Sequence, residues 1–209
     1  MIELRTGQYG AYYGSPIDES QPLTREQMQE NAAYIYSYLT AAGWTAEAVA
    51  GLLGNMEHES TINPGRWQSD DVDNMSGGYS LVQWTPASNY IEWCDGDPSE
   101  MDSALARILY ELDNGLQYYS TPSYPLTFRE FAASTDPPYT LACAFAWNYE
   151  RSHTVLYGTA AEKEALRQKR GGAANVWYEY LTGIKPIDPT AKKKGLSLLL
   201  MWHATRRRV

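Results

Sequence analysis

The residues best suited to chemistry in this chain sit at a helix end and in a glycine turn. The segment Gly51-Leu52-Leu53-Gly54-Asn55-Met56-Glu57-His58-Glu59-Ser60 is followed along the chain by Gly77-Gly78-Tyr79-Ser80-Leu81-Val82-Gln83-Trp84. A carboxyl delivered by a helix end beside a turn that carries a glutamine supplies an acid and a groove floor, which glycoside cleavage requires. Val49, Leu52, Leu53 and Met56 recur at the spacing of one helical face, after a start at Thr45 with Glu47 in the first turn. Advancing about 100° per residue from that face puts His58 on the solvent side, Asn55 and Glu59 together on one flank, and Glu57 on the other. Glu59 is therefore expected to be half-buried. Partial burial disfavours the charged form of a carboxyl, as a general acid working near neutrality requires. Geometry alone leaves a second reading open, in which Glu59 caps or salt-bridges the helix end.

At these residues the chain resembles the phage tail lysozymes, a family related in its core to goose-type lysozymes and lytic transglycosylases. That family pairs Glu-Ser at a helix end, then Asn-Pro, with a Gly-Leu-x-Gln segment lining the groove. The matches are Glu59-Ser60, Asn63-Pro64, Leu81 and Gln83, with Ser80 where glycine is usual. The resemblance continues through Asn31 to Gly43, Gly43-Trp44-Thr45, Trp67-Gln68 and Trp147-Asn148-Tyr149-Glu150-Arg151, and so covers roughly residues 20–183. It implies a mainly helical α+β, lysozyme-like fold with a small β-hairpin lobe and a cleft between lobes. It also implies an enzyme of the virion tail that cuts peptidoglycan glycan strands between N-acetylmuramic acid and N-acetylglucosamine, with Glu59 as general acid and no cofactor or metal. Asn55, Ser60, Tyr79, Ser80, Gln83 and Tyr149 are then the expected substrate-binding residues. Trp67 and Trp84 either stack on sugar rings or belong to the core. Tyr149 and Glu150 either border the groove or form a core tyrosine and a surface ion pair with Arg151. For the second carboxylate that a hydrolase uses, Asp70, Asp71 and Asp73 are the candidates. A lytic transglycosylase, in which the muramic acid C6 hydroxyl attacks, needs only one.

The elements that must position these groups fit within one domain, for which 209 residues suffice. Residues 1–22 read as an irregular arm broken by Gly7, Gly10, Gly14, Pro16 and Pro22, residues 23–183 as the catalytic domain, and residues 184–209 as linker and tail. Thr24 with Gln27 opens a helix whose face is Met28, Ala32, Ile35 and Leu39 and which Gly43 ends. From Asn63 to Trp84 the Asn-Pro, Asp-rich and Gly-Gly signals suit a loop and a small hairpin. Helices are expected from Ser99, capped by Ser99 and Asp102, from Thr127 with Glu130, and from Pro137 or Pro138. The last starts at Thr159 with Glu162, is interrupted at Gly171-Gly172 and closes at Gly183.

Composition narrows the partners. Seven Trp and seventeen Tyr against three Phe favour surfaces that combine an apolar face with a polar handle, as carbohydrate grooves do. Residues 1–190 hold eleven basic against 25 acidic side chains, a balance of −14, which excludes nucleic acid as a partner. Lys192 to Lys194 and Arg206 to Arg208 flank an apolar stretch around Leu196 to Trp202. That stretch is far short of the ~20 residues that span a bilayer and is expected to dock on a tail protein. Met1 to Tyr13 lacks an apolar signal core, and Cys94 and Cys143 are expected to be free thiols. Other chemistries fare worse. Glu57-His58-Glu59 does not place two imidazoles on one helical face, as a zinc peptidase would. Cys143 with His153 is the available cysteine-peptidase pair, but its Ala and Phe neighbours suit a core helix. An inactive structural tail component with this fold is the non-catalytic alternative.

Overall fold

The structure, a computed structural model, describes residues 2–14 and 22–185. The tail from Lys192 to Val209 lies outside the described residues, as does most of the linker. In chain order the elements are strands β1 (Glu3–Gly7) and β2 (Gly10–Gly14), then helices α1 (Arg25–Ala41), α2 (Ala46–Ser60), α3 (Ser88–Ile91) and α4 (Met101–Asn114). These are followed by α5 (Phe128–Ala133), α6 (Pro138–Phe145), α7 (His153–Tyr157) and α8 (Ala160–Thr182). The protein is a mainly helical α+β fold.

Local signals account for most helix starts. Thr24 and Gln27 form a reciprocal capping box on α1, and Thr127 with Glu130 and Thr159 with Glu162 do the same on α5 and α8. Thr45 Oγ1 caps α2 by accepting from Ala48 N at 3.1 Å. The start of α4 differs from expectation, because Glu100 is its cap residue. Ser99 and Asp102 are used across the fold instead: Ser99 Oγ accepts from Arg5 at 2.8 Å and Asp102 from Tyr34 Oη at 2.6 Å. Helix α8 also runs unbroken through Gly171-Gly172. Gly171 is a packing residue rather than a breaker, since a Cβ there would stand 2.3 Å from the Tyr139 ring.

Helix α2 is the axis of the domain. Every residue from Ala48 to Met56 is buried, more than a one-sided amphipathic face allows, because α6 and α8 close over the flanks that the helical wheel assigns to solvent. Glycines permit the approach. A Cβ on Gly51 would lie 2.8 Å from Leu141 Cβ on α6, and one on Gly54 would lie 2.6 Å from Arg170 O on α8. Fully burying Val49, Leu52, Leu53 and Met56 stabilises the domain by about 1.5–3 kcal/mol each. His58 is consequently half-buried with no partner for Nε2, and burial first, then Arg170 and Lys169, lower its pKa.

The first strand pair lies where the sequence suggests an irregular arm. β1 and β2 are antiparallel with Glu3 opposite Gly14 and Gly7 opposite Gly10. The hairpin packs onto α1: Asn31 Nδ2 donates to Tyr13 O at 2.7 Å and Ile62 O at 2.8 Å, and Tyr13 N donates to Asn31 Oδ1 at 2.6 Å. Gly7 is needed because a Cβ would fall on the Tyr34 hydroxyl. The expected hairpin between Asn63 and Trp84 reduces to isolated bridges, Trp67 with Tyr79 and Tyr79 with Trp84. No helix among the described residues is long and apolar enough to cross a membrane.

Candidate active site

Helix α2 stops where Thr61 (φ 54°) and Ile62 (φ 58°) turn left-handed, leaving Glu59 and Ser60 on its last turn. Ser60 is buried, and its hydroxyl donates to Met56 O at 3.2 Å and Leu81 O at 2.9 Å. That second bond fastens the helix end to the turn of residues 80–83. Ser80 has φ 70°, a conformation that costs nothing only for glycine, which accounts for the glycine usual at this place in the pattern. Within the turn Gln83 Nε2 donates to Ser80 O at 2.9 Å and Arg66 O at 3.1 Å. Both amide hydrogens are thus spent on backbone, and the group Gln83 has left to offer is its carbonyl oxygen.

The opposite wall comes from α6, which runs into a π-helical turn over Ala146–Glu150 that Arg151 ends at φ 47°. Single π-turns in helices recur at functional sites because they re-aim the side chains that follow. Here the turn buries Tyr149 and brings Glu150 to the groove. Tyr149 Oη donates to Glu111 Oε2 at 2.5 Å, while Trp84 Nε1 and Arg107 Nε each donate to Glu111 Oε1 at 2.9 Å. Burial raises the Glu111 pKa, and the bonds from Tyr149, Arg107 and Trp84 oppose the rise. Glu111 thereby locks the neighbour of Gln83 to the neighbour of Glu150.

Between the walls lies an open groove of about 440 Å³ whose lining includes Glu59, Glu150, Gln83, Arg66 and Trp67. Arg170, on α8, is tied to the groove through Glu59. Its Nη1 donates to Asn55 O at 2.8 Å and its Nη2 pairs with Glu59 Oε1, with the two side chains 11% and 22% exposed. Glu150 has no such partner: its Oε1 is buried without a hydrogen bond, as is Arg170 Nε. Burial, then the charges of Glu59 and Glu111, hold the Glu150 pKa well above its ordinary value against the pull of Arg170. The two carboxyls of the groove therefore stand in different surroundings, Glu59 paired with Arg170 and Glu150 buried without a partner for Oε1. Among the described residues no group of three or more His, Cys, Asp or Glu could hold a metal ion.

Comparison with known proteins gives the same direction. Residues 30–181 match the phage tail lysozyme family. The chain belongs to that family. It is also 43% identical over 164 residues to "Morphogenesis protein 1" of Bacillus phage B103, an alignment covering 77% of this chain and 42% of that protein. The chain thus spans less than half the length of this relative.

Within this phage tail lysozyme domain the expected site residues divide. Glu59, Gln83 and Trp67 line the groove. Asn55 is buried, and its Nδ2 bonds Gly51 O and Ala142 O, both at 3.0 Å, so it joins α2 to α6 rather than meeting a sugar. Tyr79 is buried with its ring 4.4 Å from that of Trp67, and Ser80 and Trp84 are also buried. Tyr149 is the core tyrosine of the two readings. Asp70 is paired with Arg66 at 3.0 Å and Asp71 accepts from Asn74 Nδ2 at 3.0 Å. Asp73 lines a separate hollow with Tyr79 and Met75. Glu57 is held by Arg25 at 3.2 Å and Trp177 Nε1 at 2.7 Å. The expected free thiols are observed, and burial pushes Cys143 up to about 12, which keeps it protonated and a poor nucleophile.

Arg170 and Glu111 escape a reading of the sequence, while for Glu150 the groove-side reading is the one observed. Glu150 does not pair with Arg151, whose guanidinium lies over the Tyr119 ring at 4.8 Å. Arg170 carries no motif. Glu111 leaves a usable signal, since it follows Ile108 by three residues on the apolar face of α4, where a charge has to be paired.

Proposed function

We propose that this domain is a muramidase-type glycosidase that hydrolyses the glycan strand of peptidoglycan between N-acetylmuramic acid and N-acetylglucosamine as a phage penetrates its host's wall. The observation that carries this reading is Glu59, presented by the last turn of α2 to an open groove in a domain of the phage tail lysozyme family. A strand lying in the groove meets Glu59 on the α2 side, the Gln83 carbonyl oxygen on the turn and Glu150 on the π-helical side. Glu59 protonates the leaving glycosidic oxygen as an oxocarbenium-like transition state forms. Glu150, which lines the same groove, is the second carboxyl of this reading. In the resting site Arg170 pairs with Glu59, and that pair has to open for Glu59 to act on the glycosidic oxygen.

Glu59→Gln keeps the shape of the side chain and removes its proton. The variant is expected to lose at least the ~10²-fold typical of a general acid. Turbidity clearing of purified walls measures this, with a thermal melt to show that the domain still folds. A folded Glu59→Gln variant with near-normal clearing would refute the assignment.

A further inference from the structure

Two buried atoms of opposite hydrogen-bonding type near Glu59 have no partner, and Arg170 is among the charges that act on Glu150. Arg170 Nε is a donor without an acceptor, and Glu150 Oε1 is an acceptor without a donor. Orphaned buried groups of this kind are costly and rare, and a complementary pair beside a catalytic carboxyl calls for an explanation. Arg170 already spends Nη1 on the Asn55 carbonyl, which ties it to α2, and Nη2 on Glu59. Its planar fork leaves Nε free to serve a second carboxylate. The charges that act on Glu150 come from packed elements: Glu59 on α2, Glu111 on α4 and Arg170 on α8; Arg66 lines the same groove. Two carboxyls around one guanidinium cannot both ionise cheaply, so the set retains one proton.

Resting on the glycosidase reading above, we propose that Glu150 is a positioning residue that stores the proton for Glu59, with Arg170 exchanging its ion pair from one carboxylate to the other. In the resting site the proton is on Glu150 and Arg170 pairs with Glu59. When a glycan strand fills the groove, the O–H bond on Glu150 breaks and one forms on Glu59. Glu150 becomes the carboxylate, and Arg170 turns its free Nε to it. The three groups hold the same net charge before and after, so the transfer does not isolate a buried charge. Glu59 then gives the proton to the glycosidic oxygen, the bond to the anomeric carbon breaks, and water adds to that carbon. The proton released by the water returns to the carboxyl pair and restores the resting state.

The test is the pH profile of kcat and KM on soluble glycan strands for the wild type, Glu150→Gln, Glu150→Asp and Glu59→Gln. Glu150→Gln cannot store a proton, so at neutral pH its kcat is expected to fall by about 10²-fold with KM little changed. It should recover as the medium becomes acid, because Glu59 then takes its proton directly from solvent. Glu150→Asp keeps an acid at the site and should retain more neutral activity than Glu150→Gln. A Glu150→Gln profile parallel to the wild type, or a loss confined to KM, would overturn the proton-storage role while leaving Glu59 in place. If Glu150→Gln were inert at every pH while Glu59→Gln stayed active, the acid would be Glu150 itself. That outcome would overturn both this inference and the Glu59 assignment. Should Glu150→Gln not fold, a Glu150→Asp profile identical to that of Glu150→Ala would refute storage.

Discussion

Glu150 is a carboxyl held where its proton is worth more than its charge, and this has a measurable consequence for stability. Its ordinary pKa is 4.5 and burial raises it in the folded state. A group raised by folding contributes fully below its unfolded pKa, and that contribution is lost as pH rises through the folded value. Glu150→Gln mimics the neutral form at every pH. Its melting temperature should therefore match the wild type in acid and exceed it increasingly as pH rises above the ordinary carboxyl range. Each pH unit within that window is worth up to about 1.4 kcal/mol. A variant less stable than the wild type at neutral pH would mean that Glu150 is a paired carboxylate. The same residue shows how far sequence reading reaches: Glu59 is legible because it lies at the end of a periodic helix beside a motif, whereas the sequence leaves Glu150 between a groove position and an ion pair with Arg151. Glu150 closes a π-helical turn, whose extra residue per turn breaks the period on which a helical wheel depends.

At the scale of elements, the site is built by how closely α2 can approach its neighbours. Gly54 sits where a Cβ would lie 2.6 Å from Arg170 O and 2.8 Å from Ala174 N, both backbone, whereas Gly172 on α8 has nothing within 4 Å of its Cβ position. The two glycines should respond in opposite directions to alanine. Gly54→Ala must part α2 from α8, at about 1–3 kcal/mol for overpacking, and should weaken wall clearing because Arg170 shifts from Glu59. Gly172→Ala should stabilise the fold by roughly 0.5–1 kcal/mol through helix propensity alone. Denaturant titration of both variants measures the pair, and equal effects would contradict the packing account. Capping boxes make the starts of α1, α5 and α8 legible in the sequence, because each is a local pattern that needs no distant partner. The β1–β2 hairpin is hidden there because its glycines read as breakers. In the structure Gly7 makes room for Tyr34 and Gly10 takes φ 122° beyond the tight turn.

At the scale of the molecule, the proposed function couples an acidic body to a substrate whose surroundings are also anionic. With 17 basic and 25 acidic residues its net charge is −8, which slows a diffusive search across wall polymers. A domain carried to the wall by a particle does not depend on such a search, and membership of the phage tail lysozyme family accords with that mode of delivery. Buried Glu111 gives the body a rigid frame, joining the Gln83 turn on one wall to the π-helical turn on the other. The proposed catalysis by Glu59 in that frame makes one chemical claim, that the bond cut is the glycosidic bond on the reducing side of N-acetylmuramic acid. Mass spectrometry of the fragments released from purified peptidoglycan reads this bond directly. New reducing N-acetylmuramic acid ends are expected; anhydro ends would contradict hydrolysis, and new N-acetylglucosamine ends or severed peptides would contradict the claim altogether.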